Sequence, residues 1–175
     1  MSVVYIQFNE KINLSLLARR TLNAHYKKKR FAACIVRSNR GVGMFYSSGK
    51  LIMNFKHISQ TNSLLDLYSN MAKKIHPNLQ IVSSKTITMT VSCKINGKIL
   101  LGKLIREERK NYPISHNFEL FPGLTITLKK TLTKSIKIVV FMSGAFNITG
   151  SKSIEDIREA LNIAEELLPK YLADF

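Results

Sequence analysis

The segment FELFPGLTI, residues 118–126, has the apolar density of a β-strand, yet Pro122 and Gly123 interrupt it. Proline brings no amide hydrogen to a sheet ladder and glycine brings no side chain to pack, so a central strand excludes both. A break there would thrust Phe121 off the sheet; the alternative is that Phe121 is a core residue of a buried strand. A second segment, KRFAACIVR at residues 29–37, repeats the arrangement with Phe31 at the start of a strand-like run. Each copy then places another aromatic shortly before a Ser-Gly: Tyr46 in FYSSGK and Phe141 in FMSG. The paired aromatics are 15 residues apart in the first copy and 20 in the second. A hairpin brings the start of one strand beside the end of the next, so each pair should meet at one place. Lengthening the hairpin tip does not alter that. Phe45, beside Tyr46, points to the opposite face of a regular strand and reads as core.

Outward from these motifs, the element order repeats at roughly 90 residues. The first half reads as a strand at 2–8, then a helix at 13–26 with Leu14, Leu17, Ala18 and Leu22 on one face and Asn13 as N-cap. Strands at 30–38 and 42–48 flank the turn residues NRG, another strand covers 50–55, and a helix over 59–76 stops at Pro77. The second half reads as a strand at 86–95, a helix at 98–111, and strands at 120–130, 135–144 and 145–150. A closing helix runs over 153–175, with Ser153 and Asp156 resembling a capping box. Its apolar face is Ile154, Ile157, Ala160, Leu161, Ile163, Ala164 and Leu167. The chain is expected to be two copies of one α+β unit, 1–84 and 85–175, sharing an antiparallel sheet. So few helices cover only one face, and the bare face should be a binding surface.

The charge says what kind of surface. Lys+Arg 27 against Asp+Glu 11 gives a net charge of +16, which favours a polyanion. The excess is uneven: residues 1–90 hold fourteen basic side chains against only Glu10 and Asp66. Cys34 and Cys93 each lie in an apolar run and read as reduced core thiols, the pattern of an intracellular protein that is not secreted. No apolar run approaches the roughly 18 residues of a membrane helix, and the N-terminus has no signal-peptide pattern. His25, His57, His76 and His116 are scattered without ligand spacing, and there is no Cys-x-x-Cys or Gly-rich phosphate loop. Glu107 and Glu108 are helix neighbours whose side chains diverge. Enzymatic chemistry is not expected, and neither a cofactor nor a metal.

RFAA followed by SSGK, and ELFPGL followed by a Phe-x-Ser-Gly, resemble the two repeats of the TATA-binding protein family in one order across nearly the whole chain. The resemblance implies an α+β saddle: about ten strands in one curved antiparallel sheet, with four helices on the convex face. The concave face would sit on the minor groove of A·T-rich double-stranded promoter DNA. Phe31 with Tyr46, and Phe121 with Phe141, would wedge between base steps, the unstacking cost being offset by the contact surface that a bend brings in. Arg30, Arg37 and Lys50 match phosphate-contacting positions. Ala145 stands where a second such lysine would be, with Lys129, Lys130, Lys134 and Lys137 nearby. The groove-facing set would be Ile52, Asn54, Thr88, Thr90, Asn147 and Thr149.

The centre departs from the family. Met1 and Thr88 fall on its asparagine positions, Asn54 and Thr149 on its threonines, and Thr90 and Asn147 on two of its valines. Such contacts separate mainly A·T from G·C, so the preferred site need not be a TATA box. Glu119 and Leu120 match the contact for a TFIIB-like initiation factor, while Asn117 replaces an acidic residue. The resemblance thus implies a transcription initiation factor that bends promoter DNA and seats the RNA polymerase machinery. It would work in a nucleus, or in a viral transcription compartment if virus-encoded, and could form a homodimer when free of DNA. A second reading keeps the fold as a scaffold that binds nucleic acid nonspecifically or docks a partner without bending DNA.

Overall fold

Ten strands of one open antiparallel sheet and four α-helices make up the computed structural model, which describes residues 1–131 and 134–173, with the backbone alone at 129–131 and 134. The chain divides into two compact units, Met1–Ile87 and Thr88–Phe175. In the first, the strands are β1 (Ser2–Phe8), β2 (Ala24–His25), β3 (Ala33–Arg37), β4 (Gly41–Tyr46) and β5 (Lys50–Phe55), ordered β2-β3-β4-β5-β1. Its helices are α1 (Leu14–Arg20) and α2 (Thr61–Lys73). The second unit is entered along β6 (Ile81–Lys94). It contains α3 (Leu101–Glu108), β7 (Ile114–Ser115), β8 (Leu124–Thr131), β9 (Lys134–Val140), β10 (Ala145–Ser151) and α4 (Ile154–Leu167). Its strand order is β6-β10-β9-β8-β7.

Strand alternation sorts the side chains. Along β1, Val4, Ile6 and Phe8 are buried while Val3, Tyr5 and Gln7 are half-buried. Along β5, Leu51, Met53 and Phe55 are buried and Ile52 and Asn54 lie on the other face. Helices occupy the buried side. Phe45 of β4 is fully buried, its ring edge-on to Tyr68 of α2 at 6.1 Å, as its position in the strand predicts. Tyr68 Oη donates to the Gly41 carbonyl at 2.8 Å, so the large ring enters the core without a stranded hydroxyl. A Cβ on Gly43 would lie 3.0 Å from that ring, which is why the strand is bare there. In the second unit Leu124, Ile126, Ile138, Val140 and Ile148 form the corresponding layer with Ala160, Ala164 and Leu167 of α4.

Three expectations need correction. The helix predicted over 13–26 ends at Arg20: Asn13 does cap it, accepting from the Leu16 amide at 3.0 Å, but Thr21 is extended and Asn23 takes a left-handed φ of 57°. Residues 24–25 instead pair with β3, and Leu22, assigned to the helix face, is 89% exposed. The strands predicted from residues 30, 86 and 120 start at Ala33, Ile81 and Leu124, so Phe31 and Phe121 lie ahead of their strands rather than within them. The closing helix stops at Leu167 and tightens into a 3₁₀ turn over Leu168–Tyr171, where Pro169 has no amide hydrogen to continue the α-pattern. Ser153 caps its other end through the Asp156 amide at 3.2 Å, but Ile154 is exposed rather than part of the buried face.

Tyr171 closes the second core. It is buried, and its hydroxyl donates to Glu108 Oε1 at 2.8 Å, while Asn111 Nδ2 donates to Glu108 Oε2 at 2.7 Å. These bonds, Asn111's first, hold the Glu108 carboxyl below its ordinary value of about 4.5. A carboxyl lowered by folding contributes stability above its ordinary value and loses it as pH falls through the lowered one. Tyr171→Phe should therefore cost about 1–2 kcal/mol at neutral pH. In urea titrations the gap between variant and parent should narrow as the pH drops below that carboxylate range.

Candidate nucleic-acid interface

The four aromatic side chains are positioned by the same backbone device in both units. In the first, the Arg30 and Phe31 amides donate to the Lys27 carbonyl at 2.8 and 3.0 Å; in the second, the Leu120 and Phe121 amides donate to Asn117 at 3.2 and 2.9 Å. Each turn delivers its phenylalanine a few residues before a strand begins, at β3 and β8. Across each hairpin the second aromatic ends a strand. Tyr46 stands opposite Ala33, and Val140, just before Phe141, stands opposite Leu124. Phe31 and Phe121 are each 45% exposed, far too much for core residues. The Phe121 and Phe141 rings meet at 5.7 Å between centroids, inclined by 67°. A Cβ on Gly123 would collide with the Phe121 ring and lie 3.0 Å from Phe141. The Pro-Gly break therefore makes room for a ring to fold back over the chain.

The Ser-Gly motifs hold the other member of each pair. The Gly49 amide donates to the Tyr46 carbonyl at 3.1 Å and the Gly144 amide to the Phe141 carbonyl at 3.0 Å. Both glycines have left-handed φ angles, 83° and 82°, and a Cβ on either would strike a backbone carbonyl, of Glu10 or of Ile95. No other residue type fits that conformation and that contact without strain.

The predicted groove-facing residues fall on the helix-free face of their own unit. In the first, Ile52 and Asn54 share it with Tyr46 and, through the pairing of Asn54 with Val3 and Val42, with two apolar side chains the sequence reading did not single out. Tyr5 and Gln7 also lie there, tied by a 2.7 Å bond from Tyr5 Oη to Gln7 Oε1. Strand alternation plus the register would have found all four. Arg37 and Lys50 are exposed at strand ends, and Arg30 is exposed in the turn beside Phe31. In the second unit Thr90 is opposite Thr149, and Asn147 is opposite Ser92 and Val139. Thr90 Oγ1 donates to Thr149 Oγ1 at 3.3 Å, so these two hydroxyls are already engaged with each other. Thr88 is half-buried and Met1 exposed. Lys137 is exposed on β9, whereas the side chains of Lys129, Lys130 and Lys134 lie outside the described residues. Glu119 and Leu120 are exposed on the turn before Phe121, Leu120 to 84%. Burial pushes the Cys34 thiol up to about 11, and raises that of half-buried Cys93 with help from Glu165, so both stay protonated. Among the described residues no cluster of His, Cys, Asp or Glu is arranged to hold a metal, and no helix is long and apolar enough to cross a membrane.

A family model described as "Transcription factor TFIID (or TATA-binding protein, TBP)" matches residues 84–171, half of the chain. The chain belongs to the TATA-binding protein family. Curated relatives agree over nearly all of it: the TATA-box-binding protein of Emericella nidulans is 29% identical over 99% of the chain, and that of Xenopus tropicalis 31% identical over 86%. The chain spans only 62% and 50% of those two proteins' lengths. The solved structure of Methanococcus jannaschii TBP superimposes with a TM-score of 0.76, covering 97% of this chain and 95% of its own, at 20% identity. At that identity the likeness establishes the fold, a TBP-type α+β sheet. The family is one of transcription factors, a binding role and not a catalytic one.

For a TATA-binding protein fold, the arrangement around Gly123 separates stability from placement of the aromatic pair. Gly123→Ala should change unfolding free energy by less than about 1 kcal/mol, because the half-exposed Phe121 ring can swing aside. The same substitution should abolish the ring-current shifts that Phe121 and Phe141 impose on one another, read by NMR of the aromatic protons.

Proposed function

We propose that this protein is a transcription initiation factor that binds A·T-rich duplex DNA through the minor groove and bends it with two aromatic wedges. The observation that carries the reading is the mutually packed pair of exposed Phe121 and half-buried Phe141 at one strand end, matched by Phe31 and Tyr46 on the same turn hydrogen bonds. An aromatic that leaves the core and is held in a fixed orientation suits insertion between base steps, where unstacking costs a few kcal/mol. Tyr46 brings a hydroxyl that needs a partner once inserted, so its wedge is the weaker. Arg30, Arg37 and Lys50 would supply phosphate contacts that set position and salt dependence without reading sequence. Ile52, Asn54, Thr88, Thr90, Asn147 and Thr149 would face the groove floor. With the Thr90 hydroxyl donating to Thr149 and no asparagine at Thr88, the Thr149 hydroxyl and the Asn54 and Asn147 amides are left to donate to the bases, so the preference for A·T should be broad. Glu119 and Leu120, exposed on the turn, would meet a TFIIB-like factor that recruits the polymerase. The nucleus, or the compartment in which a virus transcribes, is where such a protein would act.

The same engaged centre favours one other reading, a scaffold that binds nucleic acid by charge alone and leaves it straight. Energy transfer between the ends of a short labelled duplex separates the two. Bending should shorten the distance sharply on A·T-rich DNA, less on G·C-rich DNA, and not at all with the Phe121→Ala/Phe141→Ala variant. Binding without shortening, equal on both duplexes and lost in moderate salt, would establish the scaffold instead.

A further inference from the structure

The two units share their turn hydrogen bonds, which makes each a control for the other. The Ile99 amide donates to Met142 at 2.9 Å as the Ile12 amide donates to Ser47 at 3.1 Å, and the turn at Asn117–Phe121 repeats that at Lys27–Phe31. These bonds set equivalent positions side by side. Where the first unit has Asn13, Ser15, Lys28 and Ser47, the second has Leu100, Gly102, Phe118 and Met142. Every polar or charged side chain of that set has been replaced by an apolar one or by none.

The replaced positions line one cleft of about 780 Å³ within the second unit. It is unfilled: Leu100 is 45% exposed, Phe118 65% and Met142 63%. Gly102 lies in the first turn of α3, and a Cβ there would meet nothing within 4 Å. A helical glycine costs about 1 kcal/mol relative to alanine, and neither packing nor backbone conformation asks for it at this place. What its bare surface does is keep the cleft open. Lys98, Lys103 and Arg106 stand around the rim, and none of the residues lining the cleft is acidic. An adaptable methionine on an apolar wall and cations at the edge describe a groove for a peptide, not for a flat stack of bases.

We infer that this cleft docks a segment of a partner protein that presents bulky apolar side chains flanked by Asp and Glu. Apolar groups would fill the space above Gly102 between Leu100, Phe118 and Met142, and the carboxylates would pair with Lys98, Lys103 and Arg106. The cleft lies against α3 and shares Phe141 with the second aromatic pair, so peptide binding is read on the protein free of DNA.

The probe is a fluorescein-labelled amphipathic peptide of about 15 residues, with Phe and Leu at helical spacing and Asp and Glu between them. Two companions accompany it, one with Phe and Leu replaced by Ser, the other with Asp and Glu replaced by Lys. Anisotropy titrations with the full chain should give a dissociation constant on the order of 1–100 µM for the first peptide alone. Gly102→Phe should weaken that binding at least about tenfold, while the thermal midpoint stays the same or rises. Ser15→Phe, at the equivalent helix position of the first unit, should leave binding unchanged. Lys103→Glu/Arg106→Glu should weaken the acidic peptide and improve its lysine-substituted companion. Equal binding of the serine-substituted peptide would reduce the effect to net charge and overturn the assignment. So would binding unaffected by Gly102→Phe, or no binding up to roughly 1 mM. Self-association in sedimentation that Gly102→Phe abolishes, without peptide binding, would give the cleft to a second copy of the chain and overturn it equally.

Discussion

A glycine amide turned back onto an aromatic residue's carbonyl is the contact on which each candidate wedge depends. Gly49 and Gly144 reach that position only with a left-handed backbone, and each packs against a neighbouring carbonyl where a Cβ would collide. The same two glycines accept from the Phe8 and Ile95 amides through their own carbonyls, at 2.9 Å in both cases. One small turn thus ties the end of an aromatic-bearing strand to a neighbouring segment of the same unit. Without it Tyr46 and Phe141 would sit on frayed strand ends, where an exposed ring has no fixed direction. Orientation matters here because an inserted aromatic must already point away from the sheet when it meets a base step.

One-sided burial supplies the second half of the arrangement. Each unit covers one face of its strands with helices, so strands such as β1, β4 and β5 sort their residues by parity. Phe45 goes to the core and Tyr46 to the open face although they are neighbours. The open faces then collect hydroxyls, amides and β-branched side chains, with Arg37 and Lys50 at strand ends, Arg30 in a turn, and Lys137 within β9 opposite Thr149. That distribution suits a polyanion whose phosphates lie at the margins of the contact and whose bases lie beneath it. The charge asymmetry between halves fits the same division: the first unit surrounds its aromatic turn with Lys27, Lys28, Lys29 and Arg30, and the second with Phe118, Glu119 and Leu120. Two units with one backbone thereby present different chemistry at equivalent turns, one strongly basic and the other apolar with an acidic residue.

Most of the fold and much of the candidate interface was legible in the sequence. Alternation along SVVYIQF and KLIMNF, the turn residues NRG, and the Ser-Gly pairs are local signals, and each specifies its own element. Asn13 and Ser153 cap their helices because a short polar side chain before an apolar helical run has few other uses. The early end of α1 has a nonlocal cause. Leu22 was assigned to a helix by its spacing from Leu17 and Ala18, but helical spacing continues past a helix's end whenever the next residues are apolar. What ended α1 was pairing of Ala24 and His25 with β3, a partner distant in sequence.

What the sequence alone determined is the periodicity, the breaks and the repeat, because these arise from backbone sterics and from which residues avoid water. It placed Phe31, Tyr46, Phe121 and Phe141 at strand ends for that reason. Only the tertiary structure decided which side chains meet. It set Phe121 against Phe141 across a hairpin, joined Thr90 of β6 to Thr149 of β10, and left a cleft over Gly102. Those contacts depend on register and on the space between elements. Both follow from packing across residues far apart in the chain, which no local pattern encodes.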